Sequence, residues 1–123
     1  KASMMAVPLA YLATPYSRHR YGTVAAWEAA CRIAGHLIKA GQLVYSPIAH
    51  THPIARYGGV DPLDLAIWLP FDQAMIDRCD VLIVAHLDGW DESVGVAHEI
   101  AEFEKAGKPI FDLVPSSMTM TRR

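Results

Sequence analysis

The sequence predicts a small doubly wound α/β domain: a parallel sheet of about four to five strands with helices on both faces, Rossmann- or flavodoxin-like in plan. Three observations predict it. Short apolar runs alternate with longer segments of helical periodicity, the runs are continuous enough to be buried on both faces, and no Asn-Gly or similar hairpin signal separates any two of them. At 123 residues and 52% hydrophobic content the chain reads as one domain, 1–123, with enough apolar material for a real core.

The first run, "VPLAYLA" (7–13), stops at Thr14-Pro15 and reads as a strand. In "TVAAWEAACRIAGHLIKAG" (23–41), Trp27, Ala30, Cys31, Ala34, Leu37 and Ile38 recur at helical spacing, and Gly41 marks the stop. "QLVYSP" (42–47) is a second strand ended by Pro47. The stretch 47–60, "PIAHTHPIARYGGV", reads as a long loop. "DPLDLAIWLPFDQAMIDRC" (61–79) is helical, with Asp61 as N-cap and Pro62 at the first helical position; Pro70 is expected to kink or restart it, which puts Asp72 in the first turn of a second piece. "DVLIVAHL" (80–87) is the clearest strand, 93–106 a helix, and "KPIFDLV" (108–114) a fourth strand. The tail "SSMTMTRR" reads as loosely constrained.

Composition removes several function classes. Eleven basic against thirteen acidic residues, a formal charge of −2, give no electrostatic footprint for a nucleic acid polymer. No apolar run reaches the roughly 18–20 residues of a membrane span, and no secretory-signal pattern opens the chain. Cys31 and Cys79 lie far apart on helical stretches without Cys-x-x-Cys spacing, so both are expected to be reduced core residues of a cytoplasmic protein.

In open parallel sheets ligands bind beyond the carboxyl ends of the strands, where strand order reverses. The residues following each strand are Thr14, Pro15, Tyr16, Ser17 and Arg18; then His50 and His52; then Asp88, Trp90, Asp91 and Ser93. Ser93-Val94-Gly95-Val96 at a helix start offers amides and the positive end of a dipole to an anion, or Ser93 is merely an N-cap. Glu99 falls at the edge of the stripe formed by Val96, Ala97, Ile100 and Phe103, a rim charge or a tool. Asp72 is a helix-terminus stabiliser unless it faces the crevice; facing Glu99, the two would form the carboxylate pair that glycosidic cleavage uses. Asp80, at the amino end of its strand, reads as structural. His50 and His52 could share one side of an extended chain, yet no partner stands at a metal-ligand spacing, so a substrate-contacting or loop-pinning role is expected and no metal. The absence of a Gly-x-Gly-x-x-Gly, Walker or Gly-x-Ser-x-Gly stretch weakens NAD, ATP and esterase readings, and no cofactor is expected.

Together "YLATPYSR" (11–18), "FDQAMIDRCDVLIVAHLDG" (71–89) and "ESVGVAHEIAEFEKAGKPI" (92–110) resemble the nucleoside 2-deoxyribosyltransferase superfamily, which includes deoxynucleoside 5′-monophosphate N-glycosidases. The resemblance covers most of the chain in order and is weakest over 47–65. It implies Glu99 as nucleophile, four residues after Gly95; Asp72 as acid or orienting group; and Tyr11 as the residue that holds the nucleophilic carboxylate. Ser93 stands where the transferases usually have aspartate and the monophosphate hydrolases serine, which favours a 5′-phosphorylated substrate with Ser17, Arg18 and the amides around Gly95 as its cradle. Thr14 and His50 are expected substrate contacts. It also implies a homodimer or larger homo-oligomer with shared sites, in which Ser116 or Ser117 serves a neighbour's pocket. Ala101 and His98 depart from the family pattern of glycine and an aromatic residue, and the loop between Tyr11 and Arg18 is one residue longer. The expected activity is N-glycosidic cleavage of a (deoxy)nucleoside 5′-monophosphate; the alternatives are a deoxyribosyltransferase and a non-catalytic nucleotide-binding module. The phosphoribohydrolases related to lysine decarboxylases would want a Pro-Gly-Gly-x-Gly-Thr stretch that the chain lacks.

Overall fold

The computed structural model describes residues 7–123, so residues 1–6 of the expected domain lie outside the described residues. Ten segments follow in order: β1 (Leu9–Ala13), α1 (Thr23–Lys39), β2 (Leu43–Tyr45), α2 (Pro47–Gly58), α3 (Leu65–Arg78), β3 (Val81–Ala85), a single 3-10 turn (Trp90–Glu92), α4 (Val94–Lys105), β4 (Ile110–Val114) and β5 (Thr119–Arg122). The five strands form one sheet in the order β2-β1-β3-β4-β5, parallel except for the antiparallel β4–β5 pair.

Alternation along β1 builds two cores. Ala10 and Leu12 face α1, packing with Ile33, Ala34 and Leu37; Tyr11 and Ala13 face α3 and α4, packing with Ile76, Val96 and Phe103. Each large side chain removed from water here stabilises the fold by roughly 1.5–3 kcal/mol. Helices therefore cover both faces, as the doubly wound expectation requires. Because β1 sends its chain one way to β2 and the return through β3 lands on its other side, the strand order reverses between β1 and β3, which places a crevice beyond their carboxyl ends.

Local chemistry fixes the frame. Asp80 accepts the Leu9 amide at 2.8 Å and so ties the amino ends of β1 and β3, the structural role expected of it. Lys108 Nζ donates to the carbonyls of Ile76 and Asp77, each at 3.0 Å, where the last turn of α3 carries partial negative charge.

Several expectations are corrected. The 47–60 stretch is mostly helix: Ser46 caps it by accepting the Ala49 amide at 3.1 Å, and Pro47, read as a strand breaker, occupies the first turn, where a missing N–H costs nothing. Helix α3 begins later than expected, with Asp64 rather than Asp61 as N-cap and Pro62 ahead of it, and it runs through Pro70, so Asp72 is a mid-helix residue and not a first-turn stabiliser. The 116–123 tail supplies β5, paired in register from Val114↔Thr119 to Phe111↔Arg122 and closed by Arg123 on Asp112 at 2.8 Å. Its turn, Pro115 to Met118, lacks the Asn-Gly signature of two-residue hairpins because it is four residues long. Cys79 is buried, but Cys31 lies on the exposed side of α1; both thiols are free. No helix among the described residues is long and apolar enough to cross a membrane.

Candidate active site

Glu99 is not at the edge of its helix stripe. The buried residues of α4 are Val96, Glu99 and Phe103, so the carboxylate occupies the central core-facing position, against β1 and β3. Ser93 delivers it there: its Oγ accepts the Val96 amide at 3.2 Å and starts the helix, so it is the N-cap, and the amides of Val94 and Gly95 are left without an intrahelical acceptor. Directly beneath, the Tyr11 hydroxyl donates to Glu99 Oε2 at 2.5 Å.

The electrostatics of this pair follow from burial. Glu99 is 8% exposed, and loss of solvation pushes its pKa up to about 8, against the lowering effect of the Tyr11 hydrogen bond and with a further rise from Asp72. The Tyr11 phenol is also raised, by burial first and then by the two carboxylates, so it keeps its proton and acts as a fixed donor. Asp72 is pushed up to about 6 by desolvation, partly offset by His98. Tyr45, at the end of β2, is raised by burial and by Asp72 and Glu99. Tyr11, Tyr45, Asp72 and Glu99 thus sit close enough to feel one another's charge, although they come from β1, β2, α3 and α4.

Four buried polar atoms have no hydrogen-bond partner within the described residues: Thr14 Oγ1, Tyr45 Oη, His50 Nδ1 and Asp72 Oδ1. Each orphan costs about 1–3 kcal/mol, and folded proteins keep few of them. Two follow or end the strands β1 and β2, and the other two lie on the helices after β2. Such a set is what a polar ligand at that edge would satisfy.

The expected site residues therefore divide. Tyr11, Asp72 and Glu99 are brought together, with Thr14 and His50 contributing unpartnered atoms. Ser17 and Arg18 are exposed on the β1–α1 loop. That loop meets the β3–α4 loop at Gly89, where φ is +88° and an added Cβ would fall 2.1 Å from the Arg18 carbonyl oxygen. Ser117 belongs to the β4–β5 hairpin, where its Oγ bonds Thr119. His50 and His52 do not share a side: two residues apart on a helix they diverge by about 200°. His52 turns toward α1, stacked on Trp27 at 4.7 Å and hydrogen-bonded through Nδ1 to Tyr16 Oη at 2.6 Å, and so pins the β1–α1 loop. His50 turns toward α3. Sequence reasoning missed Tyr45, Trp68 and Phe71; ending β2 at Tyr45 would have put the first among the strand-end residues.

A Tyr11→Phe variant is expected to move the Glu99 titration to still higher pH, because the one interaction favouring its charged form is lost; carboxyl NMR reads this directly. It should also cost about 1.5–3 kcal/mol at pH values where Glu99 is ionised.

One family model matches residues 9–114, from the first residue of β1 to the last of β4. The chain belongs to that family. It is described as a domain of unknown function, DUF1937. The DUF1937 match contains every residue of the carboxylate site and ends before β5. No curated protein matches the chain. Two surface depressions of about 320 and 340 Å³ lie around Ile76, Glu102 and Lys108 and around Pro109 and Arg122. Both are at the far end of the sheet, and neither is lined by Glu99 or Asp72.

Proposed function

We propose that this DUF1937 chain is an N-glycosidase that cleaves the bond between base and sugar in a (deoxy)nucleoside 5′-monophosphate. The observation that carries the reading is the buried Glu99 carboxyl, held by Tyr11 beside Asp72 at the switch point of the sheet; the resemblance to the nucleoside 2-deoxyribosyltransferase superfamily supplies the substrate class. Glu99 attacks C1′ as a carboxylate, the C1′–N bond breaks, and its electron pair leaves with the base as Asp72 supplies a proton. The product is a glycosyl ester on Glu99. Water then adds to C1′, giving its proton to Asp72 and releasing the sugar phosphate. The Val94 and Gly95 amides, with Ser17 and Arg18, position the phosphate, so that its binding energy orients the reacting bond. Active assembly as a homodimer or larger homo-oligomer is part of the proposal, supported by the exposed apolar residues Leu65, Ile67, Leu69 and Phe71 along α3.

Gly95 supports the anion reading from the side of the fold. An added Cβ there meets only Ser93 Oγ, at 3.8 Å, so packing does not require glycine in a helix where it is unfavourable. Gly95→Ala is expected to raise stability by up to about 1 kcal/mol in urea denaturation while weakening binding of 5′-phosphorylated ligands.

The decisive experiment is chromatographic detection of free base after incubation with a panel of ribo- and deoxyribonucleoside 5′-monophosphates. Release from one of them supports the reading. Transfer of the sugar to an added acceptor base would make the protein a transferase instead, and thermal stabilisation by a nucleotide without base release would make it a binding module.

A further inference from the structure

The corner where β2, α2 and α3 meet holds a group that the cleavage chemistry leaves unused. The His50 imidazole is clamped: Phe71 stacks on it with centroids 4.5 Å apart and planes 19° from parallel, Trp68 meets it edge-on at 6.4 Å, and Tyr45 lies 6.2 Å away. Its Nδ1 is buried and has no partner among the described residues. A histidine free to turn would swing that nitrogen to water or to a neighbouring carbonyl; the clamp prevents this and leaves a desolvated polar atom in a fixed direction.

The neighbours give the corner its chemistry. Phe71, the stacking partner, immediately precedes Asp72, whose Oδ1 is also buried and unpartnered. Tyr45, whose hydroxyl is the third orphan, bridges from His50 back to Tyr11, the ring steps being 6.2 and 5.7 Å. The nucleophile thus stands at one end of a short row of rings and the clamped imidazole at the other, with Asp72 close enough to Tyr11, Tyr45 and Glu99 for its charge to act on all three. That is the order in which a nucleotide presents its sugar and then its base.

We propose that His50 reads the leaving base: its Nδ1 hydrogen-bonds the edge of a planar nitrogen heterocycle next to the atom that takes the Asp72 proton. This rests on the glycosidase reading for the identity of the ligand and goes beyond it in assigning selectivity to one atom. Because the ring is held on several sides, it rejects a base whose edge lacks the matching group instead of turning to suit it.

The test separates the two readings. In a Glu99→Gln background, which binds without turning over, calorimetry compares a panel of deoxynucleoside 5′-monophosphates with 2-deoxyribose 5-phosphate, which has no base. His50→Phe keeps the stack and removes the nitrogens; His50→Asn returns an amide close to the position of Nδ1. The expected result is an affinity loss of about 10–100-fold for the preferred nucleotide in the Phe variant, partial recovery in the Asn variant, and no change for the sugar phosphate. Unchanged nucleotide affinity, an equal loss for both ligands, or no nucleotide binding at all overturns the assignment. Selective loss in a protein whose wild type releases no base would sink the glycosidase reading and leave His50 as the base reader; base release with selectivity indifferent to position 50 would do the reverse.

Discussion

Glu99→Gln is expected to abolish base release, by at least about 10³-fold, and to leave a protein that is more stable than the wild type at alkaline pH. The first effect follows from the proposed role of Glu99 as nucleophile, in which an amide cannot replace the carboxylate. The second follows from the pKa. Folding raises the Glu99 carboxyl from an ordinary 4.5 to about 8, so between those values the native state holds a proton that the unfolded chain has released. The stabilising contribution is full below about pH 4.5 and is lost as pH rises through about 8, a decline on the order of a few kcal/mol. Glutamine keeps the Tyr11 hydrogen bond and has nothing to ionise. Urea denaturation at pH 5 and pH 9 should show the wild type losing more stability than the variant; parallel losses, or turnover in the variant, would remove Glu99 from its role.

For Asp72→Asn the expected fall in kcat/KM is about 10²-fold, with a changed pH profile. The two carboxyls titrate as a pair, with apparent pKa values of about 6 and about 8, so wild-type kcat/KM should be bell-shaped between those limbs. The proposed reaction requires the remaining proton on Asp72 and Glu99 ionised. In the free protein this is the minor form, since burial raises Glu99 further than Asp72. An oxocarbenium-like sugar developing against Glu99 favours its carboxylate and draws the pair into the reacting form. With asparagine at 72 no acid remains to be lost, so the alkaline limb disappears. The acidic limb then belongs to Glu99 alone, which titrates below its wild-type value once the Asp72 charge no longer raises it. Substrates whose base leaves readily without protonation should be the least impaired. An alkaline limb that persists in the variant would assign the acid to another group.

The sheet and its carboxyl edge were legible because both rest on local patterns. The strands β1 and β3 are apolar runs and α1 repeats at helical spacing, whereas Glu99 and Asp72 were singled out as a catalytic pair by the resemblance to the nucleoside 2-deoxyribosyltransferase superfamily, which spacing alone does not supply. What was not legible depended on competition between signals. Pro47, Pro53, Gly58 and Gly59 outweighed the Ser46-Pro47 capping pair, so α2 read as loop, and with it went the opposed directions of His50 and His52. Pro70 suggested a break that packing of Trp68 and Ile76 overrides. The strand β5 carries four exposed residues and no alternation; it exists because β4 offers it an edge and Arg123 fastens its end to Asp112. Burial of Glu99 at the middle of its stripe was hidden for a related reason: hydrophobic periodicity treats a carboxylate as a gap in the pattern.

The two glycines flanking the 3-10 turn carry opposite mutational tolerances. At position 89 the chain itself forbids a side chain, through the Arg18 carbonyl and a positive φ; at position 95 it does not. A library selected only for folding should therefore retain glycine at 89 and drift freely to alanine or serine at 95. The same library selected for activity should be confined at both. The difference between the two selections would map the ligand's outline onto the protein, one position at a time.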